Sequence, residues 1–176
     1  MTETVLDLHQ TQAAPERGPA VLTAKVTDGR GRYLLEGKDK AFVADSSSRP
    51  GGATAPNPGE LLLSALAVCA LGSVQRHAAE DEVAIGPRTI ATATAHRNED
   101  QSRRTQFKLV HIEVFVDGPS QAVAEELVGK FTQSCPIFNT TRRGGPVAVE
   151  VVTDAGRRTI LDNQSDWAGT LEAVAS

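Results

Sequence analysis

The chain holds two cysteines in 176 residues, Cys69 and Cys135. A thiolate is a nucleophile, and a sulfenic acid formed on one sulfur condenses with a neighbouring thiol to a disulfide, so two cysteines brought together could cycle as a redox pair. Neither belongs to a Cys-x-x-Cys motif, which leaves thioredoxin-like exchange without support. Two thiols also fall short of the four ligands of a structural zinc site, and His77, His96 and His111 show no helical or hairpin ligand spacing that would complete one. No metal and no cofactor are expected. A reducing compartment disfavours a purely structural disulfide. Two readings stay open on these residues alone: a pair of small buried hydrophobes, or a redox couple.

The elements that must position these sulfurs can be read from spacing. Short β-like runs at Val21–Thr27, Arg32–Glu36 and Ala41–Ala44 are separated by Asp28-Gly-Arg-Gly31 and Gly37-Lys-Asp-Lys40, which is the turn chemistry of a three-stranded meander. Ser46 to Gly59 is a Ser, Pro and Gly loop, unusually long for a small domain. A helix then starts with Asn57 as N-cap, Pro58 at the first helical position and Glu60 three beyond Asn57 in capping-box spacing, and runs to about Ala79. Its first four turns, which carry Cys69, are apolar nearly all round. That predicts a central helix covered on several sides.

Beyond a turn at Gly86-Pro87, alternation predicts strands at Arg88–His96 and Phe107–Val116, joined by a charged tip at 98–104. The second of these places Val110, Ile112, Val114 and Val116 on one face. A second helix begins near Pro119-Ser120 and ends at Cys135-Pro136, and a strand over Val147–Thr153 follows. If Pro136 opens a short helix through Thr141, Cys135 occupies its N-cap, where the helix dipole favours a thiolate. The order βββ-α-ββ-α-β indicates an α+β fold rather than a wound parallel sheet. The expected organisation is an arm over residues 1–20, one domain over 21–154 and a polar tail over 155–176.

Composition narrows the function. Eighteen Lys and Arg against 22 Asp and Glu give a net charge of −4, and aromatics are 4% of the chain, so neither a phosphate-binding surface nor a base-stacking platform is expected. The first residues show neither a basic stretch nor an apolar run, and the near-apolar stretch Leu61–Val74 falls short of the ~20 residues that span a bilayer. A cytoplasmic location is expected, with no membrane and no nucleic acid as partner.

The run Gly51-Gly-Ala-Thr-Ala-Pro-Asn-Pro-Gly-Glu-Leu-Leu-Leu-Ser-Ala-Leu-Ala-Val-Cys69, together with Cys135-Pro-Ile-Phe-Asn-Thr-Thr141 and a closing Val-rich strand, resembles the OsmC/Ohr superfamily of osmotically inducible and organic-hydroperoxide-resistance proteins. The resemblance covers about Val21 to Thr153. It implies an intertwined homodimer with its central helices packed between sheets, and a thiol peroxidase of the stress response in which Cys69 attacks an organic hydroperoxide, Cys135 resolves the sulfenic acid as a disulfide, and an external dithiol reduces the pair.

It also implies an arginine that stabilises the Cys69 thiolate and a glutamate that holds this arginine. Arg30, in the first hairpin turn, is the best match, with Arg32 and Arg49 as competitors. The place of the glutamate, ten residues before the cysteine, is taken by Gly59. Glu60 is the nearest carboxylate, but at nine residues and 100° each it lies half a turn from Cys69 on a regular helix, which suits a capping role. This departure points to a less characterised, OsmC-like branch. A function of another class also fits the fold: a non-catalytic dimeric module that binds a small apolar ligand in its interface pocket, and such a module would need neither thiol.

Overall fold

A computed structural model of the chain describes residues 19–97 and 106–167. The chain divides into two compact units, Met1–Asn57 and Pro58–Ser176. The expected arm over 1–20 and the charged tip at 98–104 lie almost wholly outside the described residues.

The first unit holds β1 (Thr23–Val26), β2 (Arg32–Glu36) and β3 (Ala41–Asp45), paired as an antiparallel meander. The expected strands are present, with β1 shorter at both ends and β3 longer by one residue. Of their side chains only Ala44 and Asp45 are buried, while Val21, Leu22, Val26, Phe42 and Val43 are exposed, Val26 by 85%. Three strands with so little buried apolar surface have no core to hold them. A polar clamp acts in its place. The fully buried Asp45 carboxylate accepts Arg32 Nε and Nη2 at 2.9 and 3.0 Å, and the backbone N–H groups of Thr54 and Ala55 at 2.8 and 3.0 Å. Arg49 Nη1 lies 3.6 Å from the same carboxylate, and Asp45 N–H donates to the Pro56 carbonyl at 3.1 Å. Asp45 thereby ties both ends of the 46–57 loop to β2. The Arg32 hydrogen bonds, aided by the two backbone amides, hold its carboxyl well below the usual carboxylate range.

The second unit begins with α1 (Pro58–Glu80), followed by β4 (Ile90–Arg97), β5 (Phe107–Phe115), α2 (Gln121–Ser134), α3 (Pro136–Gly144), β6 (Val147–Thr153), β7 (Gly156–Asp162) and the short α4 (Gln164–Trp167). Its sheet has the order β4-β5-β6-β7, antiparallel except for β5 with β6. That parallel pair needs a long crossover, and α2 with α3 supplies it. The α+β class and the order βββ-α-ββ-α-β hold, with α3, β7 and α4 added.

The core lies where α1 and α2 meet one face of this sheet. Val110, Ile112, Val114 and Val116 on one side of β5, with Val147, Val149 and Val151 on β6, are buried under Leu66, Ala70 and Val74 of α1 and Leu127, Val128 and Phe131 of α2. Alternation on β4 turns Ala91, Ala93 and Ala95 inward, and these small side chains leave room for α1. At the entry to β4, the Gly86 N–H donates to the Asp117 carbonyl, and a Cβ on Gly86 would lie 2.1 Å from the Asp117 carboxylate. Only glycine fits that approach.

One expectation needs correction. Residues 156–162 do not belong to a polar tail: they form β7, whose Arg157 and Arg158 are exposed on an edge strand while Ile160 and Leu161 pack on the core. Charge on an edge strand is a common protection against further pairing, and it masked the strand in the sequence. The described residues cover α1 on one side. Leu66, Ala70, Ser73, Val74 and Ala78 are buried, whereas Val68 is 70% exposed and Leu62 is exposed too. At 23 residues α1 is also long and apolar enough to span a bilayer by length and composition, but its stripe packs on α2 and β4 as a core helix does.

Two predictions follow from these contacts. Asp45→Asn should lower the thermal midpoint at pH 7, because the ion pair and its charge-assisted hydrogen bonds are lost. A carboxyl whose folded-state pKa is depressed contributes stability above its unfolded value and loses it as pH falls, so the gap between the two proteins should narrow below about pH 4. A gap independent of pH would contradict this. Ser73, in the buried stripe of α1, has a hydroxyl with no hydrogen-bond partner among the described residues, while Ser64, Ser134 and Thr141 each donate to the carbonyl four residues back. Ser73→Ala should therefore raise stability by about 1 kcal/mol in urea unfolding, since a buried unpaired hydroxyl costs of that order or more. A loss of stability would show that the hydroxyl is bonded in solution.

Candidate active site

The two cysteines, 66 positions apart in sequence, meet in the second unit. Both are free thiols, and they are near enough that the Cys135 side chain raises the Cys69 thiol pKa. Cys69 is brought there by α1. It stands next to the buried Ala70 and is itself only partly buried, packed against the core. Cys135 is brought there by the corner between α2 and α3, and is 7% exposed.

That corner is built residue by residue. Ser120 caps α2, its hydroxyl accepting the Val123 N–H, and the buried face Ala124, Leu127, Val128 and Phe131 seats the helix on the core. Cys135 closes α2 through its N–H to the Phe131 carbonyl at 3.1 Å and opens α3 as its N-cap, with Pro136 at the first helical position. The Phe138 N–H donates to Cys135 Sγ at 3.4 Å, so the sulfur takes the place a capping oxygen usually fills. Phe131 and Phe138 are both fully buried, with ring centroids 5.0 Å apart at 49°, and flank the cysteine in sequence. Asn139 Nδ2 donates to the Cys135 carbonyl at 2.9 Å and to the Gln133 carbonyl at 3.2 Å, which fixes the turn between the helices.

Asn139, Phe131 and Phe138 are the residues that sequence reading missed as parts of this site. The spacing Phe-x-x-x-Cys-Pro-x-Phe was their signal: across a helix break, positions four before and three after the cysteine close on each other.

Electrostatics separates the two sulfurs. Burial, and then the adjacent Cys135 sulfur, push the Cys69 thiol up. Cys69 lies in the interior of α1, where backbone amides are already used by the helix, whereas Cys135 has the Phe138 amide. A reactive Cys69 thiolate therefore needs a cation from elsewhere.

The other expected site residues are distributed as follows. Arg30 is exposed in the turn between β1 and β2. Ser46 N–H donates to the Gly31 carbonyl at 2.7 Å, and Gly31, at φ +78°, packs against Arg49, so this turn and the long loop lie side by side within the first unit. Arg32 and Arg49 are both committed to Asp45, which leaves Arg30 as the arginine of the three without that tie. Glu60 sits in the first turn of α1, exposed, and since α1 is continuous to Glu80 it lies half a turn round from Cys69. The structure brings the two cysteines together and leaves Glu60 half a turn round α1 from Cys69. His77 pairs with Glu80 at 2.8 Å, and His111 with Glu150 at 3.1 Å on the outer face of the sheet.

No curated protein sequence matches the chain significantly. Solved structures do. An OsmC-like protein from Mycoplasma pneumoniae superposes with a TM-score of 0.64 at 18% identity, covering 77% of this chain and 97% of the other. An organic hydroperoxide resistance protein from Elizabethkingia anophelis gives 0.63 at 19% identity, covering 80% and 99%. The organic hydroperoxide resistance protein OhrB of Bacillus subtilis gives 0.56 at 25% identity, covering 78% and 98%. These similarities establish the fold. Residues 51–150, from the Gly-Gly pair through both cysteines to the middle of β6, match the OsmC-like protein family. The chain belongs to the OsmC/Ohr superfamily.

Proposed function

We propose that the chain is a thiol-dependent peroxidase that reduces organic hydroperoxides to alcohols, and the observation that carries this reading is the contact between the free thiols of Cys69 and Cys135. The Cys69 thiolate attacks the distal peroxide oxygen, the O–O bond breaks, and the alkoxide leaves and takes a proton as the alcohol. Cys69 is then a sulfenic acid. Cys135 attacks it, the disulfide forms and water departs, and an external dithiol restores both thiols.

The division of labour suits the geometry. Cys69 is the more exposed sulfur, as first contact with a peroxide requires, while Cys135 is buried and held by Phe138 and Asn139 within reach of its partner. A binding module for an apolar ligand would gain nothing from this pairing.

Arg30 is the proposed cation for Cys69, because Arg32 and Arg49 are held by Asp45. Glu60 belongs to the helix start in this reading. A second copy of the chain is the proposed partner: it would cover Val68 and Leu62 on α1 and the exposed apolar residues of the meander, as the family's intertwined homodimer implies. A folded monomer in sedimentation at micromolar concentration would contradict that assembly.

Cys69→Ser should abolish turnover of cumene hydroperoxide, whereas Cys135→Ser should permit one oxidation and stop at a sulfenic acid that dimedone traps. Loss of the first oxidation only in the Cys135 variant would reverse the roles. Arg30→Ala should slow alkylation of Cys69 at pH 7 by about tenfold, one unit of thiol pKa, with Arg49→Ala changing it less. The opposite ranking would place the cation on the other loop. Glu60→Gln should cost less than about tenfold in turnover, ~1.4 kcal/mol, because Gln still suits capping-box geometry. A loss of a hundredfold at unchanged melting temperature would make Glu60 part of the site.

A further inference from the structure

We propose that the external thiol which reopens the Cys69–Cys135 disulfide attacks the sulfur of Cys69, so that Cys135 is the leaving group and the mixed disulfide forms on α1. This rests on the peroxidase cycle above and adds the direction in which its last step runs.

Access is the first argument. Cys69 is partly exposed on α1. Cys135 is buried at the α2–α3 corner, between two helical segments anchored by the fully buried Phe131 and Phe138. Attack on a disulfide requires the incoming sulfur to approach along the S–S axis, from behind the sulfur it strikes. An incoming thiol therefore meets a partly exposed residue at Cys69 and a buried one, 7% exposed, at Cys135.

Stabilisation of the departing charge is the second argument. In thiol–disulfide exchange the sulfur that better holds a negative charge leaves faster. Cys135 is the N-cap of the nine-residue α3, and the Phe138 N–H already points at its Sγ, 3.4 Å away. A thiolate released there meets an oriented donor and the positive end of a helix. Cys69, twelve residues into α1, has neither, and burial and its sulfur neighbour push its thiol up. Both arguments select the same sulfur.

The step balances as follows. A thiolate of the reductant bonds to Cys69 Sγ, the Cys69–Cys135 bond breaks, and its electron pair stays on Cys135, which then takes a proton. The second thiol of the same dithiol attacks the mixed disulfide, closing the reductant to its own disulfide and releasing Cys69. Two electrons and two protons pass from the dithiol to the protein.

The test uses the full chain, oxidised to the disulfide either with one equivalent of cumene hydroperoxide or with diamide. Limiting glutathione, which as a monothiol stalls at the mixed disulfide, is added and quenched at successive early times with acid and N-ethylmaleimide, and the peptides are mapped by mass spectrometry. Glutathione on Cys69 with maleimide on Cys135 should exceed the reverse pattern by at least about tenfold when extrapolated to zero time. Equal labelling, or glutathione mainly on Cys135, would overturn the proposal. A disulfide that forms with diamide but not with hydroperoxide would refute the peroxidase reading instead, and the mapping from the diamide product would still decide which sulfur is struck.

Discussion

Everything chemical in this protein depends on how closely α1 seats against the rest of its unit. The helix presents a narrow stripe, Leu66, Ala70, Val74 and Ala78, in which alanines alternate with larger side chains. The facing strand β4 offers alanines as well. Small residues on both surfaces allow close approach, and the larger ones, each contributing about 1.5–3 kcal/mol when fully buried, fix the depth. That seating carries Cys69 to the α2–α3 corner. A shift of α1 by a fraction of a turn would separate the sulfurs, so the meeting of the two thiols is a consequence of core packing rather than of any local motif.

The corner supplies the other half of the constraint. One residue, Cys135, ends α2, caps α3 and carries the thiol, and Asn139 and the Phe131–Phe138 pair leave it little freedom. Holding one sulfur in the core and the other partly exposed on α1 gives the two different chemical environments. The first unit is held on another principle. With almost no core, its meander and long loop depend on the buried Asp45 and its arginines, and its apolar residues remain outside.

Much of this was legible in the chain. Alternation located β2, β5 and β6 closely, the Asn-Pro and Ser120 signals located both long helices, and Pro136 after Cys135 foretold the capped α3. Strand β7 was not legible, because its arginines read as solvent-exposed coil until β6 is known to lie beside it. Asp45 fell just past the strand expected over Ala41–Ala44: its burial comes from a loop that folds back over it, which no local pattern encodes. The apolar circumference of α1 was read correctly from the sequence, and among the described residues part of it is uncovered. Within the site, the pairing of the cysteines came from resemblance, and the geometry that keeps Glu60 away from Cys69 came from counting along a helix.

The most direct measurement is a titration of free thiols against an organic hydroperoxide under anaerobic, reductant-free conditions. If the two sulfurs act as a peroxidatic and a resolving pair, one equivalent of cumene hydroperoxide should remove both thiols of each chain, yield one equivalent of cumyl alcohol and leave an intrachain Cys69–Cys135 disulfide. Thiols that persist at several equivalents, with the hydroperoxide unconsumed, would contradict the account.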